Sequence, residues 1–488
     1  GWSASHTVVE VVVDDMPFLV DSVTMELSRQ NRAIHLVVHP QVMVRRDLTG
    51  QLLGFADDPS EPDAVRESWI HVEIDRETDP DDLVRIEADL RRVLRDVREA
   101  VEDWPKMRAQ ALAIVDSLYG NPGPVPPEEV AETQELLRWL AADHFTFLGY
   151  REYDLEQRPE GEVLRAVPGT GLGILRADQS DSGSDGVLPA NVGAKAREKR
   201  LLILTKANSR ATVHRPAYLD YIGVKKFDES GEVVGERRFL GLFTSAAYTT
   251  SFQQIPVVRR KGREVLKRSG FDPSSHAGKS LLDILETYPR GELFQMSVDD
   301  LMPIAMSILY LQERRRLRLF VRRDDYGRFV SCLVYLPRDR FNTQVRLKLQ
   351  ELLLEAFGGR GTVDWQLRFS ESVLARLYFV VRLPKGAQVP DVDVSDLERK
   401  LATATRTWVD DFSDALEETL GEEEAARLRA KYADGFPAAY REDFTARTAV
   451  SDLRRLEELP SDGSIALSLY EPVDAAPYER RFKIYRRG

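Results

Sequence analysis

The chain has 488 residues, too many for one hydrophobic core, because single cores stop growing at roughly 250–300 residues. Its 43% hydrophobic and 30% charged residues are typical of a folded protein rather than a disordered one. The net charge of −12 opposes attraction to nucleic acid or to an anionic membrane surface, since both are negatively charged. We therefore expect at least three folded units, with no nucleic acid and no membrane as partner.

The chain has one cysteine, Cys332, so it can form no internal disulfide and no cysteine-rich zinc site. The apolar run FVSCLVYLP around it predicts a buried thiol, and this cysteine usage fits a cytoplasmic protein. The longest apolar stretches are the size of strands, not of a signal peptide or a spanning helix. The first residues enter a strand almost at once and the last end on one, so we expect a piece of a longer polypeptide.

The first predicted unit covers residues 5–118. Valines alternate along residues 7–14, which is the pattern of a half-buried strand. Apolar residues then recur every four positions over 17–30, which predicts an amphipathic helix. Asp15 is the expected N-cap of this helix, and Pro17 is tolerated in its first turn.

Two more strands are expected within 34–46 and 68–74, followed by a long helix with apolar spacing over 83–101. The order strand, helix, strand, strand, helix is most of a ferredoxin-like βαββαβ unit. The segment NPGPVPPEE at 121–129 reads as a linker rather than as the fourth strand. We therefore expect the fourth strand to precede residue 1.

The second predicted unit covers residues 128–258. A helix over 130–143 precedes five short strand candidates, which glycine-bearing turns separate, notably at 169–173 and 178–186. Several strands with one flanking helix indicate an α+β sandwich of the sensor type. A mostly helical connector follows over 259–315.

The third predicted unit covers residues 316–410 and reads as strand, strand, helix, strand, strand, with a further helix from 394 to 412. Moving its first strand to the end restores the βαββαβ order, so we expect a circularly permuted ferredoxin-like unit. An acidic helical segment follows over 411–460, and two strands over 461–488 would begin another such unit. The expected fold class is multi-domain α+β.

Five strings of the sequence occur in the same order in one enzyme family. They resemble the N-terminal half of the large NAD-dependent glutamate dehydrogenases of bacteria: DDMPFLVDSV (14–23), HFTFLGYREYDL (144–155), RRFLGLFTSAAY (237–248), SHAGKSLLDILETYPRGELFQ (275–295) and FVRRDDYGRFVSCLVYLPRDRFNT (320–343). The resemblance implies tandem ACT-type domains and a PAS-like domain ahead of a catalytic domain, assembled as a homo-oligomer. The parent enzyme would convert L-glutamate, NAD and water into 2-oxoglutarate, ammonium and NADH.

On this resemblance, the chain is a regulatory and oligomerisation segment without the catalytic domain. We expect it to be inactive alone and to bind no cofactor, with NAD belonging to the parent enzyme. The alternative is a stand-alone ACT-domain interaction protein with no linked enzyme.

Two glycine-bearing strings invite a nucleotide-binding interpretation. The spacing of Gly169, Gly171 and Gly173 does not match G-x-G-x-x-G, and a strand-like segment follows it, so we expect a flexible turn. The string 276–280 ends in Gly-Lys-Ser, but Pro273 stands where a P-loop has its first glycine. We expect a helix start there, capped by Ser275 or Ser280.

The remaining polar features give no catalytic or metal constellation. His35 and His39 are four residues apart but lie in a strand pattern, so they would not share a helix face. Two basic runs, 259–268 and 314–323, are expected to pair with acidic surfaces of neighbouring domains or subunits, or with the helix near Glu422–Glu424. We favour this over nucleic acid contact in so acidic a protein.

A candidate effector site follows from the resemblance, because ACT domains bind amino acids at the first strand-to-helix turn. A helix N-terminus offers unpaired N–H groups and a positive dipole end to a carboxylate. Here the site residues would be Asp15, Met16, Pro17, Phe18 and Ser22. Amino-acid-binding relatives tend to have glycine just after the proline, whereas this chain has Phe18. Two interpretations therefore stay open, a real effector site and a turn with only packing and interface roles.

Overall fold

A computed structural model describes most of the chain. The described residues are 5–56, 61, 63–176, 188–311, 314, 316–359, 361, 363–369, 372–384, 387–460, 464–471, 478 and 480–486. They fall into two compact units, residues 1–311 and 312–488. The predicted turn at 178–186 lies outside the described residues.

The first sheet domain opens the first unit and is an antiparallel sheet with one helix between its first strands. Its elements are β1 (Thr7–Asp14), α1 (Leu19–Arg29), β2 (Ile34–Val38), β3 (Gln41–Arg46), β4 (Leu52–Phe55) and β5 (Ala64–Ile74). The sheet order is β1-β5-β3-β4, and β2 also pairs with β5. The strands β2 and β3 therefore lie end to end beside β5, and β4 is a strand that we did not predict.

β1 lies at an edge of this sheet. It pairs with β5 along its whole length, from Thr7 opposite Ile74 to Asp14 opposite Glu67. Among the described residues, no strand pairs with the other edge of β1. The expected fourth strand before residue 1 stays a prediction.

The start of α1 differs from the prediction. The helix begins at Leu19, and its N-cap is Phe18, in the left-handed conformation with φ 73° and without a side-chain cap. Asp15 is therefore not the N-cap. The reason is that the Asp15 carboxylate accepts a hydrogen bond from Ser68 of β5, which holds it against the sheet.

The long helix predicted after residue 80 is α2 (Pro80–Gly120), with 41 residues. At 1.5 Å per residue it is about 60 Å long. Asp79 caps it by accepting a hydrogen bond from Asp81 N. Buried residues continue at helical spacing beyond the predicted stretch, from Met107 to Leu118. One helix therefore packs against two sheets.

The central domain is a second antiparallel sheet. Its elements are α3 (Pro127–Trp139), β6 (Phe145–Arg158), β7 (Gly161–Ala166), β8 (Leu172–Gly173), α4 (Ala190–Arg197), β9 (Leu202–Arg210), β10 (Tyr218–Phe227) and β11 (Val233–Phe243). The sheet order is β7-β6-β11-β10-β9, with β8 paired to β6. The five predicted strands are confirmed, and β8 and α4 are additional.

The first sheet domain and the central domain share one apolar core. Buried side chains of α1 and α2, including Val23 and Val97, belong to the same cluster as Leu148, Val213 and Leu242 of the central domain. Because this core is continuous, the two domains pack as one body.

The predicted helical stretch is confirmed. It consists of α6 (Val258–Ser269), α7 (His276–Thr287), α8 (Arg290–Gln295) and α9 (Val298–Leu311), and a short helix that was not predicted, α5 (Ser245–Thr249), precedes it. Ser275 caps α7, since its hydroxyl accepts a hydrogen bond of 3.0 Å from Gly278 N. The Gly-Lys-Ser string is thus inside a capped helix rather than in a phosphate-binding loop.

The second compact unit begins with a four-stranded antiparallel sheet. Its elements are β12 (Arg318–Arg323), β13 (Phe329–Pro337), α10 (Thr343–Phe357), β14 (Asp364–Phe369), β15 (Leu374–Arg382) and α11 (Val394–Ala404). The sheet order is β12-β13-β15-β14, and the predicted strand and helix sequence is observed. Cys332 on β13 is fully buried, as expected.

Helices and a hairpin complete this unit. They are α12 (Trp408–Leu420), α13 (Glu422–Tyr432), α14 (Ala438–Asp443), α15 (Ala446–Glu458), β16 (Ile465–Tyr470) and β17 (Arg481–Arg486). The single helix expected from 394 to 412 is wrong, because Thr407 and Asp410 form a capping box that starts a new helix. The acidic helix likewise breaks at Gly421, whose φ is 81°.

Candidate functional site

The turn between β1 and α1 carries the predicted effector residues, and Asp15 lies on its sheet side. The Asp15 carboxylate accepts from Ser68 Oγ at 2.5 Å and from Gln41 Nε2 at 3.0 Å. Asp15 N donates to Arg66 O at 2.9 Å. Side chains and backbone therefore fix Asp15 to β5 and β3.

A serine and a histidine meet beside Asp15, but their proton arrangement does not activate a nucleophile. His39 Nε2 lies 3.0 Å from Ser68 Oγ. The Ser68 hydroxyl already donates its proton to Asp15, so the imidazole must donate to the hydroxyl. A nucleophilic serine requires the opposite direction, with the imidazole accepting. Ser68 and His39 therefore orient the Asp15 carboxylate.

Ser22 lies on the other side of the turn and is fully buried. Its hydroxyl accepts a hydrogen bond of 3.0 Å from the backbone N–H of His214, in the central domain. The ring of Phe18 packs against the ring of His214 with 4.8 Å between centroids. Ser22 and Phe18 thus face a neighbouring domain rather than solvent.

The structure divides the five predicted residues between two environments. Asp15 belongs to a polar group with Ser68, whereas Phe18 and Ser22 contact His214. Met16 is half-buried against the shared apolar core, and Pro17 is exposed. The turn therefore joins the sheet to the central domain, and whether an effector also binds there stays a prediction.

Sequence reasoning missed the residues that hold this turn: His39, Gln41, Ser68 and His214. They lie between 26 and 192 positions from their partners, so no local spacing relates them. One sequence feature points to Ser68, because it lies on a predicted strand and that strand pairs with β1. Its pairing with Asp15 nevertheless depends on strand register, which the sequence left undefined.

The glycines at 169–173 do not form a nucleotide-binding turn. Gly173 belongs to β8 and donates its backbone N–H to the Asp103 carboxylate of α2 at 2.9 Å. An added Cβ at Gly173 would lie 2.1 Å from Leu148 O, so glycine is required for close backbone packing. The segment therefore fastens the central sheet to α2.

Asp103 is the anchor of that contact. It is 1% exposed and also accepts from Arg176 Nε at 2.8 Å and Lys106 Nζ at 3.0 Å. Burial by itself raises the pKa of the Asp103 carboxyl, but these hydrogen bonds outweigh burial and lower the pKa to about 2. Asp103 is therefore a structural carboxylate that stays ionised at neutral pH.

Basic residues of both predicted runs form ion pairs within their own compact units. The pairs are Arg259 with Glu132 at 3.0 Å, Arg268 with Asp299 at 2.5 Å, Arg318 with Glu398 at 3.2 Å and Arg323 with Asp391 at 3.1 Å. The acidic residue Glu424 pairs with Arg427 of its own helix. Of these four pairs, that of Arg259 reaches another predicted domain, at Glu132 of α3, whereas the other three lie within one predicted domain. For those three, the expected pairing with neighbouring domains or subunits, or with 422–424, stays a prediction.

The described part of the chain contains no group of three or more His, Cys, Asp or Glu side chains able to hold a metal ion. His35 contacts Asp75 instead, at 2.8 Å, and this hydrogen bond lowers the pKa of the Asp75 carboxyl. None of the described helices combines the length and apolar character needed to cross a membrane.

Family models match four segments of the chain in order. They are "Glutamate dehydrogenase, ACT1 domain" at residues 1–90, "helical motif 1" at 255–314, "ACT2 domain" at 318–409 and "helical motif 2" at 415–459. The first sheet domain lies within the ACT1 match, and the sheet β12–β15 lies within the ACT2 match. The chain is therefore a multi-domain protein built from ACT domains and helical motifs.

Three curated relatives, each named NAD-specific glutamate dehydrogenase, align over nearly the whole chain. The relative from Halomonas elongata is 43% identical over 100% of this chain, that from Pseudomonas aeruginosa 39% over 99%, and that from Mycobacterium tuberculosis 34% over 93%. The chain is thus similar to NAD-specific glutamate dehydrogenases along nearly its whole length. It spans 28–30% of the length of these relatives.

Proposed function

We propose that the chain is the N-terminal regulatory and oligomer-building segment of an NAD-specific glutamate dehydrogenase. The parent protein would convert L-glutamate, NAD and water into 2-oxoglutarate, ammonium and NADH, with NAD held by a separate catalytic domain. The observation that carries this proposal is the ordered match of four glutamate dehydrogenase segments to one chain. A stand-alone ACT-domain interaction protein is less well supported, because the relatives are longer enzymes.

We propose a division into six segments: an ACT-type domain at 5–118, a PAS-like domain at 128–258, a helical connector at 259–315, a second ACT-type domain at 316–410, a helical segment at 411–460 and the start of a third ACT-type domain at 461–488. The antiparallel sheet of the central domain supports the PAS-like assignment. The permuted ferredoxin-like order is supported by β12 to β15.

The hairpin β16–β17 supports the third ACT-type domain. One face carries two cross-strand apolar pairs, Leu467 with Ile484 and Leu469 with Phe482, all at least 58% exposed. The other face is anchored on α15, where Asp452 accepts from Tyr485 Oη at 2.7 Å. A two-stranded hairpin is marginal by itself, so further elements of a domain would cover the apolar face.

Effector sensing belongs to the same proposal. An amino acid would place its carboxylate at the start of α1, where the helix N–H groups and dipole favour negative charge. Asp15 would attract its ammonium group. The proposed partners are thus a second copy of the protein, the catalytic domain and an amino acid, in the cytoplasm.

The enzymatic part is tested by comparing this chain with the longer protein that its gene encodes. With L-glutamate and NAD supplied, the longer protein should produce NADH absorbance and this chain should not. Light scattering should give the same multiple of the protomer mass for both if this segment builds the oligomer. Turnover by this chain alone would refute the assignment as a regulatory segment.

Effector binding is tested by calorimetry with the twenty protein amino acids. Saturable heat should appear with at least one amino acid and disappear in Asp15→Ala. Glu61→Ala, which removes a half-buried carboxylate elsewhere in the first sheet domain, is the control. Flat titrations across the whole set would remove the effector role and leave the assembly role standing.

A further inference from the structure

The loop between β9 and β10, residues 211–217, contacts the candidate effector turn; we name it the His214 loop. The two ends of the loop are hydrogen-bonded to each other, since Ala211 N donates to Ala217 O at 2.8 Å. Val213, next to its tip, is fully buried in the apolar core that the central and first sheet domains share. The loop is therefore a closed, anchored element.

Polar contacts place the tip of the loop against the first turn of α1. His214 N donates to Ser22 Oγ at 3.0 Å, and His214 Nδ1 lies 3.7 Å from Asp21 Oδ2. A second contact reaches α2, where Thr212 Oγ1 donates to Asp96 at 2.8 Å. The loop thus forms hydrogen bonds to α1 of the first sheet domain and to α2.

Two residues with strained backbone meet at this contact. Phe18 has φ 73° and His214 has φ 76°, a backbone region that residues other than glycine rarely adopt. The two strained residues are on different domains, yet their rings pack against each other at 4.8 Å. Strain of this kind persists only where the surroundings determine the conformation, and it often marks elements that switch.

We propose that the His214 loop is an intramolecular ligand of the ACT-type turn, covering Ser22 and Phe18 and holding the start of α1 in place. Phe18 in place of glycine is explained by this role, since its ring supplies the contact to His214. An amino-acid effector would then bind the turn in competition with the loop. This last consequence rests on the proposed effector role, whereas the loop contact does not.

Hydrogen–deuterium exchange of the whole chain tests the proposal through glycine substitutions. Phe18→Gly and His214→Gly each relieve left-handed strain and remove one ring of the pair. Each should raise exchange roughly three- to tenfold in both segments, 18–24 and 211–217, because the contact is mutual. The double variant should exchange no faster than the faster single variant, since both changes remove the same contact.

Asn31→Gly is the matched control. Asn31 also has a positive φ, 56°, but it is exposed beyond the other end of α1. It should leave exchange in both segments unchanged. Ser22→Ala, which keeps both rings and removes only the acceptor for His214 N–H, should give a smaller increase in the same segments and serves if a glycine variant fails to fold.

Two results would overturn the proposal. One is faster exchange confined to 211–217 in His214→Gly. The other is an increase of exchange in the double variant that equals the product of the increases in the two single variants. Calorimetry with the twenty amino acids separates the effector role. Tighter binding by His214→Gly than by the unaltered chain supports competition, whereas equal affinity refutes it. Heat from neither protein removes the effector role, while the exchange result still decides the loop contact.

Discussion

Replacing Asp103 by asparagine tests the anchor between α2 and the central sheet. Asparagine keeps the size of the side chain and one acceptor oxygen but removes the charge that Arg176 and Lys106 contact. We expect the first compact unit to lose about 1–2 kcal/mol of stability at neutral pH.

The magnitude follows from the pKa of Asp103. The carboxyl has a pKa of about 2 in the folded protein, against an ordinary aspartate value of 3.8, and this difference corresponds to ~2.4 kcal/mol. The side chains of Arg176 and Lys106 are 37% and 66% exposed, so solvent screening reduces the value to the expected ~1–2 kcal/mol. The folded pKa is the lower one, so the stabilisation is present above pH about 4 and is lost as the pH falls toward about 2.

Exchange of the Gly173 amide is a direct assay, because this N–H donates to Asp103. At neutral pH it should exchange roughly five- to thirtyfold faster in Asp103→Asn. Glu102→Gln is the control, since Glu102 contacts Arg176 at 3.1 Å but is 52% exposed and should contribute little. The midpoints of urea unfolding, measured from pH 4 to pH 2, test the sign of the pH dependence. The difference in midpoint between the unaltered chain and Asp103→Asn should shrink as the pH falls. Equal effects of the two variants, or a difference that persists unchanged to pH 2, would refute the reasoning.

Three further predictions concern packing and capping. Gly262→Ala should destabilise α6 by about 1–3 kcal/mol, because its Cβ would lie 2.2 Å from Phe252. In Gly291→Ala the Cβ would lie at an ordinary contact distance, 3.9 Å from Gln295, so this variant should be neutral or stabilising in thermal unfolding. Thr407→Ala should cost about 1 kcal/mol in urea unfolding of the second unit by removing the capping box of α12. Cys332 should not react with a thiol reagent until urea unfolds its sheet, and rapid native-state labelling would contradict its burial.

Much of the fold follows from periodicity. Alternating valines located β1, and apolar spacing located the first part of α2. The continuation of α2 to Gly120 was missed, because Pro105 and charged residues interrupt the pattern where the helix passes from one sheet to the next. The strand β4 was missed because four residues in a glycine-containing loop carry little periodicity. Local patterns thus identify elements but not the tertiary neighbours that extend or add them.

The candidate turn shows the limit of local reasoning more clearly. Asp15 has the residue type and position of an N-cap, yet Ser68 holds its carboxylate on the sheet. The left-handed conformation of Phe18 is equally unexpected from sequence, because a bulky residue adopts it only when a distant contact such as His214 compensates. Strand register and the packing of another domain decided both positions.

The helix α2 packs against two sheets, and this restricts how this part of the protein can be cut or recombined. A cut near Trp104 that separated the two domains would open their shared core to water, because Val97 of α2 packs there with Leu148 and Leu242 of the central domain. We therefore expect neither half to fold as a separate module. Recombination that exchanges the first sheet domain must therefore carry the central domain with it, although the two sheets differ in topology.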